Sequence, residues 1–328
     1  MDKIRAGIIG TGSAVPKRVL TNADFEKMVD TSDEWIVTRT GIRERRIAEA
    51  GEATSDYATI ACQRAIEAAG IGAEDIDQVI CATVTPDMMF PSTASIIQDR
   101  LGAAHAGAFD LSAACSGFLY AVSVASALVE VGRAKYVVVV AADLLSRITD
   151  YTDRSTCVLF GDGAGAVVVG AVPEGRGFLA FDLGSDGSGG KFLYQPAGGS
   201  RIPASHESVE AKQHFLKMEG QETFKFAVRA MGASTEKVLE KSGLTRDDID
   251  LLVPHQANIR IIDAAAKRFG VPSEKVAVTI HKYGNTSASS IPIALDEAVR
   301  EGRVKAGDAL IMVGFGGGLT WGAAAVRL

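Results

Sequence analysis

The chain has 328 residues, 47% of them hydrophobic and 23% charged, with 34 basic and 40 acidic side chains giving a net charge of −6. That apolar content excludes a disordered chain, and the mixed, slightly acidic charge argues against a nucleic-acid binder. The length allows one large domain or two ordinary ones.

The start, Met1-Asp-Lys-Ile-Arg-Ala-Gly7, mixes acidic and basic residues and has no long apolar run, so no secretory signal is visible. Gly7-Ile-Ile-Gly10-Thr-Gly12 hints at a dinucleotide loop after a strand. Its spacing is wrong for that loop, and Pro16 stands where a helix would run, so the reading is rejected. A helix is predicted over 59–69, closed by Gly70, with an apolar strand beginning near Ile76. Asp110-Leu-Ser-Ala-Ala-Cys115-Ser-Gly117 leads into a helix over 117–131. Residues 136–142 are solidly apolar, as in a strand covered on both faces, and too few to span a bilayer. Pro173, Gly175 and Gly177 mark a connection over 172–177. Beyond it the sequence predicts helices over 224–241 and 259–269, strands over 250–254 and 309–313, and a glycine run, Gly314-Phe-Gly-Gly-Gly318.

Two stretches repeat one another. Residues 68–80 align without gaps on 241–253: a helix ends at Gly70 or Gly243, an acidic turn follows, and Ile76-Asp77 or Ile249-Asp250 opens a strand. Gly132-Arg133 before one strand has its counterpart in Gly302-Arg303 before another. The chain therefore reads as a duplicated α/β unit, with halves 1–172 and 173–328. A site in such a fold forms at strand ends where the halves meet.

Three residues carry the chemistry. Cys115 stands at a helix start, where free N–H groups favour thiolate over thiol, and its small neighbours leave room for a substrate. His255 ends an apolar strand in Pro254-His-Gln-Ala-Asn258, and Asn285 lies in Gly284-Asn-Thr-Ser-Ala288. A thiol, a His and an Asn are the parts of a covalent acyl-transfer site. Cys62 and Cys81 read as core residues and Cys157 as structural. No CxxC spacing is present, which suits reduced thiols in the cytoplasm. His105, His206, His214 and His281 read as surface or structural. The run 314–318 is either a hairpin or a backbone whose N–H groups face a developing oxyanion. No metal-ligand spacing is present.

Six ordered motifs resemble β-ketoacyl-acyl-carrier-protein synthase III, the condensing enzyme that initiates type II fatty-acid synthesis. They are residues 30–45, Ala114-Cys-Ser-Gly-Phe118, Phe160-Gly-Asp-Gly-Ala-Gly165, Pro254-His-Gln-Ala-Asn258, Gly284-Asn-Thr-Ser-Ala288 and Phe315-Gly-Gly-Gly318. The resemblance implies a thiolase-like α/β fold with mixed sheets covered by helices. It implies acylation of Cys115 by an acyl-CoA primer, with the N–H groups of Cys115 and Gly317 as oxyanion hole. It implies decarboxylation of a malonyl-acyl-carrier protein with His255 and Asn285 as donors, and no permanently bound cofactor or metal. It places Trp35 and Arg154 around the CoA adenine, Arg39 near its phosphates, and Phe224 and Asn258 along the pantetheine passage. Lys225, Arg260, Lys267 and Arg268 would dock the carrier protein, and Phe90 would cap the acyl pocket of a homodimeric partner, hinting at a short primer such as acetyl. Gly220-Gln221 departs from the family's usual Gly-Asn pair. Rival readings are a related synthase using other primers in secondary metabolism, a Cys-His-Asn thioester hydrolase, and a non-catalytic acyl-binding scaffold.

Overall fold

A computed structural model describes residues 4–328, so the first three residues of the N-terminal reading lie outside it. Among the described residues, nine strands build the two main sheets. They are β1 (Arg5–Ala14), β2 (Gln78–Ala82), β3 (Gly107–Leu111), β4 (Tyr136–Leu144), β5 (Asp162–Val172), β6 (Gly177–Ser185), β7 (Leu251–Pro254), β8 (Ala309–Gly316) and β9 (Thr320–Arg327). The main helices are α1 (Asp33–Thr40), α2 (Thr54–Ala69), α3 (Thr93–Leu101), α4 (Gly117–Glu130), α5 (Gly220–Ser242), α6 (Ile259–Phe269) and α7 (Ser290–Arg300).

The first sheet has the order β1-β5-β4-β2-β3 and the second β6-β9-β8-β7. In the first, β1/β5 and β5/β4 are antiparallel and β4/β2 is parallel. In the second, β6/β9 and β9/β8 are antiparallel and β8/β7 is parallel. Strand for strand, the second sheet repeats the first without β3. The sequence repeat falls at equivalent joints: Gly70 closes α2 with φ 68° and Gly243 closes α5 with φ 71°, and each leads into a strand that pairs in parallel. Both glycines take the left-handed conformation that a side chain disfavours.

Helices and sheets alternate in five layers. α4 and α7 lie between the sheets, where Phe118, Leu119, Val122, Ile291 and Leu295 pack against Val139, Val167, Val253 and Met312. α2 and α3 cover the outer face of the first sheet, α5 and α6 that of the second. Sheets buried on both faces explain the unbroken apolar run in β4, whose last eight residues are buried. The glycines of β1 have a packing reason: a Cβ on Gly10 or Gly12 would collide with the backbone carbonyl of Ala65 or Ala61 in α2. They belong to a strand, as the rejection of a dinucleotide loop requires. No helix among the described residues is long and apolar enough to cross a membrane.

Candidate active site

The central helices aim the chemistry. Cys115 sits in a short 3-10 turn, Ala114–Ser116, directly before α4. Asn285 lies on the approach to α7, and His255 immediately follows β7. One cavity of about 170 Å³ is lined by Cys115, His255 and Asn285 together, with Gly220, Phe224, Asn258 and Gly316. Three residues up to 170 positions apart thus share one wall.

Each side chain is held. The Asn285 backbone is clamped to the 159–161 segment: its N–H donates to the Leu159 carbonyl at 2.9 Å, and its carbonyl accepts from Gly161 N–H at 3.0 Å. Its Oδ1 accepts the Ser287 N–H at 2.9 Å, which leaves Nδ2 to donate into the cavity. The His255 ring is 1% exposed, with its edge against Phe315 at 5.5 Å and Nδ1 2.7 Å from Ser290 Oγ. Burial pushes its pKa down to about 3, so the ring is neutral. Gly316 lets the halves close: a Cβ there would stand 2.6 Å from the Cys115 nitrogen. Thr320 Oγ1 ties the hairpin to the cysteine turn by donating to the Ala113 carbonyl at 2.9 Å.

The expectation of a thiolate is corrected. Burial pushes the Cys115 thiol up to about 12, outweighing the hydrogen bonds from Ser287 and from its own N–H, and buried Asp143 adds to the rise. The resting sulfur is therefore protonated at neutral pH. Alkylation of Cys115 by iodoacetamide, followed by peptide mass, should accelerate past the ordinary thiol value of 9.0 and on toward 12. A plateau well below 9.0 would instead show that the helix start outweighs burial. The same raised pKa makes folding stability fall as pH climbs from 9.0 toward 12, because the unfolded thiol loses its proton first.

A second cavity, about 140 Å³, meets the first at Cys115. Val84, Ala114, Leu145, Ile148, Phe160, Leu193, Leu216 and Gly317 are among its walls. Sequence reasoning named only Cys115 and Gly317 among them. The rest are ordinary apolar residues from separate segments, and of them only Ala114 and Phe160 fall inside a motif. The run 314–318 is indeed a hairpin, with Gly316 paired to Thr320. Gly317 also lines this cavity, so the two readings of the run are compatible.

Trp35 and Arg154 are brought together, with the guanidinium 4.5 Å from the ring centroid and Arg39 on the same ring at 5.0 Å. Arg154 lies directly over Trp35 in this conformation, so a base between them requires the guanidinium to move. Such a contact is worth only about 0.5–1 kcal/mol at an exposed site. Asn258 caps α6 through Oδ1 and donates Nδ2 to the Arg39 carbonyl at 2.9 Å, so it fastens α6 to α1 while lining the cavity. Arg260 sits over the ring of the cavity-lining Phe224 at 5.9 Å, and Lys225 follows Phe224 in α5. Lys267 and Arg268 stand at the other end of α6, about 10–12 Å along its axis. Arg268 also pairs with Glu236 at 3.4 Å and Lys225 with Glu222 at 2.8 Å, so the four cations do not form one uninterrupted patch. Phe90 is 84% exposed and lines neither cavity. Cys62, Cys81 and Cys157 are buried and free.

With this geometry in place, comparison with known proteins is decisive. Models of the 3-oxoacyl-[acyl-carrier-protein] synthase III family match residues 109–187 and, for its C-terminal part, 239–328. The β-ketoacyl-[acyl-carrier-protein] synthase III of Caldanaerobacter subterraneus is 59% identical over 326 residues, covering 99% of this chain and 98% of that protein. The chain belongs to the β-ketoacyl-acyl-carrier-protein synthase III family. The synthase III of Geobacillus kaustophilus is 57% identical, covering 98% of both chains. The crystal structure of the Aquifex aeolicus synthase III superposes with a TM-score of 0.91 at 50% identity, covering 98% of this chain and 100% of that one. A priming β-ketosynthase from a polyketide pathway superposes with a TM-score of 0.93 at 39% identity, covering 99% and 97%. The synthase III fold, thiolase-like with mixed sheets covered by helices, is therefore the fold of this acyltransferase.

Proposed function

We propose that this synthase joins a short acyl-CoA primer, acetyl-CoA foremost, to a malonyl-acyl-carrier protein. The product is a 3-oxoacyl-acyl-carrier protein, the first intermediate of fatty-acid synthesis. The observation that carries the reading is the meeting of two cavities at Cys115, one shared with His255 and Asn285 and the other apolar. The outer cavity admits the thioester arm, and the inner one houses the acyl chain.

In the first half-reaction the Cys115 sulfur attacks the primer thioester, the N–H groups of Cys115 and Gly317 bind the oxyanion, and the thiol proton leaves with CoA. In the second, the malonyl thioester carbonyl sits against His255 Nε2–H and the Asn285 amide. Carbon dioxide departs, and the resulting enolate attacks the acyl-Cys carbonyl. The carbon–sulfur bond breaks, and the released Cys115 sulfur takes up one proton, consistent with its raised pKa. Neutral His255 suits a hydrogen-bond donor that must not lose its proton to the enolate.

The inner cavity holds roughly four or five water-sized groups at about 30 Å³ each, which fits a short chain. An open cleft of about 630 Å³ shares Val84, Ile148 and Gln195 with it and is bordered by Met88 and Met89 of the loop that carries exposed Phe90. In a two-fold dimer each Phe90 loop would enter the partner's cleft and close its acyl chamber, an isologous contact. Trp35 and Arg154 would sandwich the CoA adenine, with Arg39 by the phosphates. Arg260, over the cavity-lining Phe224, and Lys225 would meet the acidic carrier protein, and Lys267 and Arg268 would extend that contact along α6. The halves 1–172 and 173–328 each supply part of the site. Four free thiols and the nature of the substrates support a cytoplasmic enzyme.

Intact-mass measurement after exposure to acetyl-, branched- and longer acyl-CoAs tests the reading. Acetyl-CoA should add one acetyl group to Cys115, and malonyl-carrier protein should then discharge it into product. Acylation by longer or aromatic primers alone would point to secondary metabolism, and release to water without condensation would point to a hydrolase. Trp35→Ala should weaken CoA binding by about tenfold or more, as expected when one base loses a stacking partner. Unchanged affinity by calorimetry would remove Trp35 from the site.

A further inference from the structure

His255 is a useful donor only if Nε2, not Nδ1, carries the proton of the neutral ring. In a neutral imidazole one nitrogen donates and the other accepts, and the partner of one sets the state of the other. Ser290, the first residue of α7, occupies the Nδ1 side at 2.7 Å and is 2% exposed. The Gln256 N–H donates to the same hydroxyl oxygen at 3.2 Å. That bond places a hydrogen against one side of the oxygen. Among the described residues, Nδ1 is the only acceptor within reach of the Ser290 hydroxyl proton. We infer that Ser290 is a positioning residue: its hydroxyl donates to Nδ1 and fixes His255 in the Nε2–H form that faces the cavity.

The device is assembled from two separate elements of the second half. β7 delivers His255, whose own N–H donates to the Val313 carbonyl at 2.8 Å, and α7 delivers Ser290. Gln256 completes the frame: its side chain donates to the Pro254 and Ala277 carbonyls and accepts from Thr279 N–H. The Gln256 backbone N–H is thereby held where it can orient the Ser290 oxygen. With the tautomer set, the ring presents a proton to the enolate oxygen. The opposite tautomer would present a lone pair to it, a repulsive contact in a buried site.

The inference deepens the proposed role of His255 and rests on it, so its test has a readout that is independent of turnover. Nitrogen-15 spectra of histidine-labelled protein, with the His255 signals assigned by their loss in His255→Ala, report which ring nitrogen is protonated. In the unaltered enzyme Nε2 should be protonated and Nδ1 bare, and Ser290→Ala should shift the ring toward a mixture of tautomers. The same variant should lose malonyl decarboxylation by about tenfold to a hundredfold, less than the full loss of an oxyanion donor. Its Cys115 acylation rate should stay within about twofold, since acylation uses other donors. A proton on Nδ1 in the unaltered enzyme overturns the inference, and that spectrum requires no variant to fold. A tautomer shift in Ser290→Ala without loss of decarboxylation overturns Ser290's part in the reaction. His255→Ala with normal decarboxylation would instead overturn the proposed role of His255 itself.

Discussion

His255→Ala lowers malonyl decarboxylation by about a hundredfold to a thousandfold while leaving acylation of Cys115 nearly unchanged. That magnitude is the loss of one preorganised donor at a developing oxyanion. The asymmetry follows from position. His255 and Asn285 line the same cavity as Cys115, whereas Gly317 lines the second cavity, which in the proposed reaction receives the acyl group. Asn285→Ala gives a similar loss of decarboxylation but costs acylation somewhat more. Its Oδ1 accepts the Ser287 N–H, and Ser287 lines the second cavity beside Cys115. Single-turnover assays that separate acyl-enzyme formation from carbon dioxide release read both effects. Equal loss of the two steps in His255→Ala would remove His255 from the second half-reaction.

Gly316→Ala is the second large effect. Its backbone has no unusual torsion; the constraint is the approach of Cys115, whose nitrogen, Cβ and Cα would stand 2.6, 2.9 and 3.2 Å from the new methyl. Backbone atoms cannot swing aside as a flexible side chain can, so β8 and the cysteine turn must part. Overpacking of this kind costs about 1–3 kcal/mol of stability. A displacement of about 1 Å at the nucleophile costs about a hundredfold in rate. Acylation should therefore fall far more than the melting temperature suggests. Gly187→Ala is the control: no atom lies within 4 Å of the added methyl, and stability should stay within about 0.5 kcal/mol. An acylation rate in Gly316→Ala equal to that of the control would show that the halves do not meet through this glycine.

The sequence was most legible where a local rule had no competitor. The 259–269 helix runs as read, because Asn258 caps it and Gly270, with φ 63°, closes it. α2 begins at Thr54, five residues before the predicted start. Its opening Thr54-Ser-Asp56 turn is polar and carries no apolar period, yet Asp56 accepts the Ala53 N–H at 2.7 Å and holds the turn. α5 likewise begins at Gly220, four residues earlier than its periodicity indicated. Cys115, His255 and Asn285 stood out because each sits in a distinctive motif. The thiol's protonation state did not, because it is set first by burial, which exists only once the distant segments around Cys115 converge. The acyl chamber was hidden for a related reason: Leu145, Leu193 and Leu216 are indistinguishable from core leucines until three segments converge. Lys267 and Arg268 follow Arg260 in sequence on one helix, but helical rise carries them to its opposite end.

The two helices between the sheets carry a last consequence, for how the molecule comes apart. α4 belongs to the first half and α7 to the second, yet both are buried in one core with strands of both sheets. Asp296 in α7 accepts hydrogen bonds from Thr11 at 2.8 Å and Ser13 at 2.6 Å in β1, and Arg300 pairs with it at 2.9 Å. Neither half can expose its own inner face without stripping that of the other. Calorimetry should therefore show a single melting event for the whole chain, two separated transitions would contradict it, and a fragment ending near residue 172 would present a bare apolar wall to water. The two similar units share one buried layer, so Cys115, His255 and Asn285 should be gained and lost together.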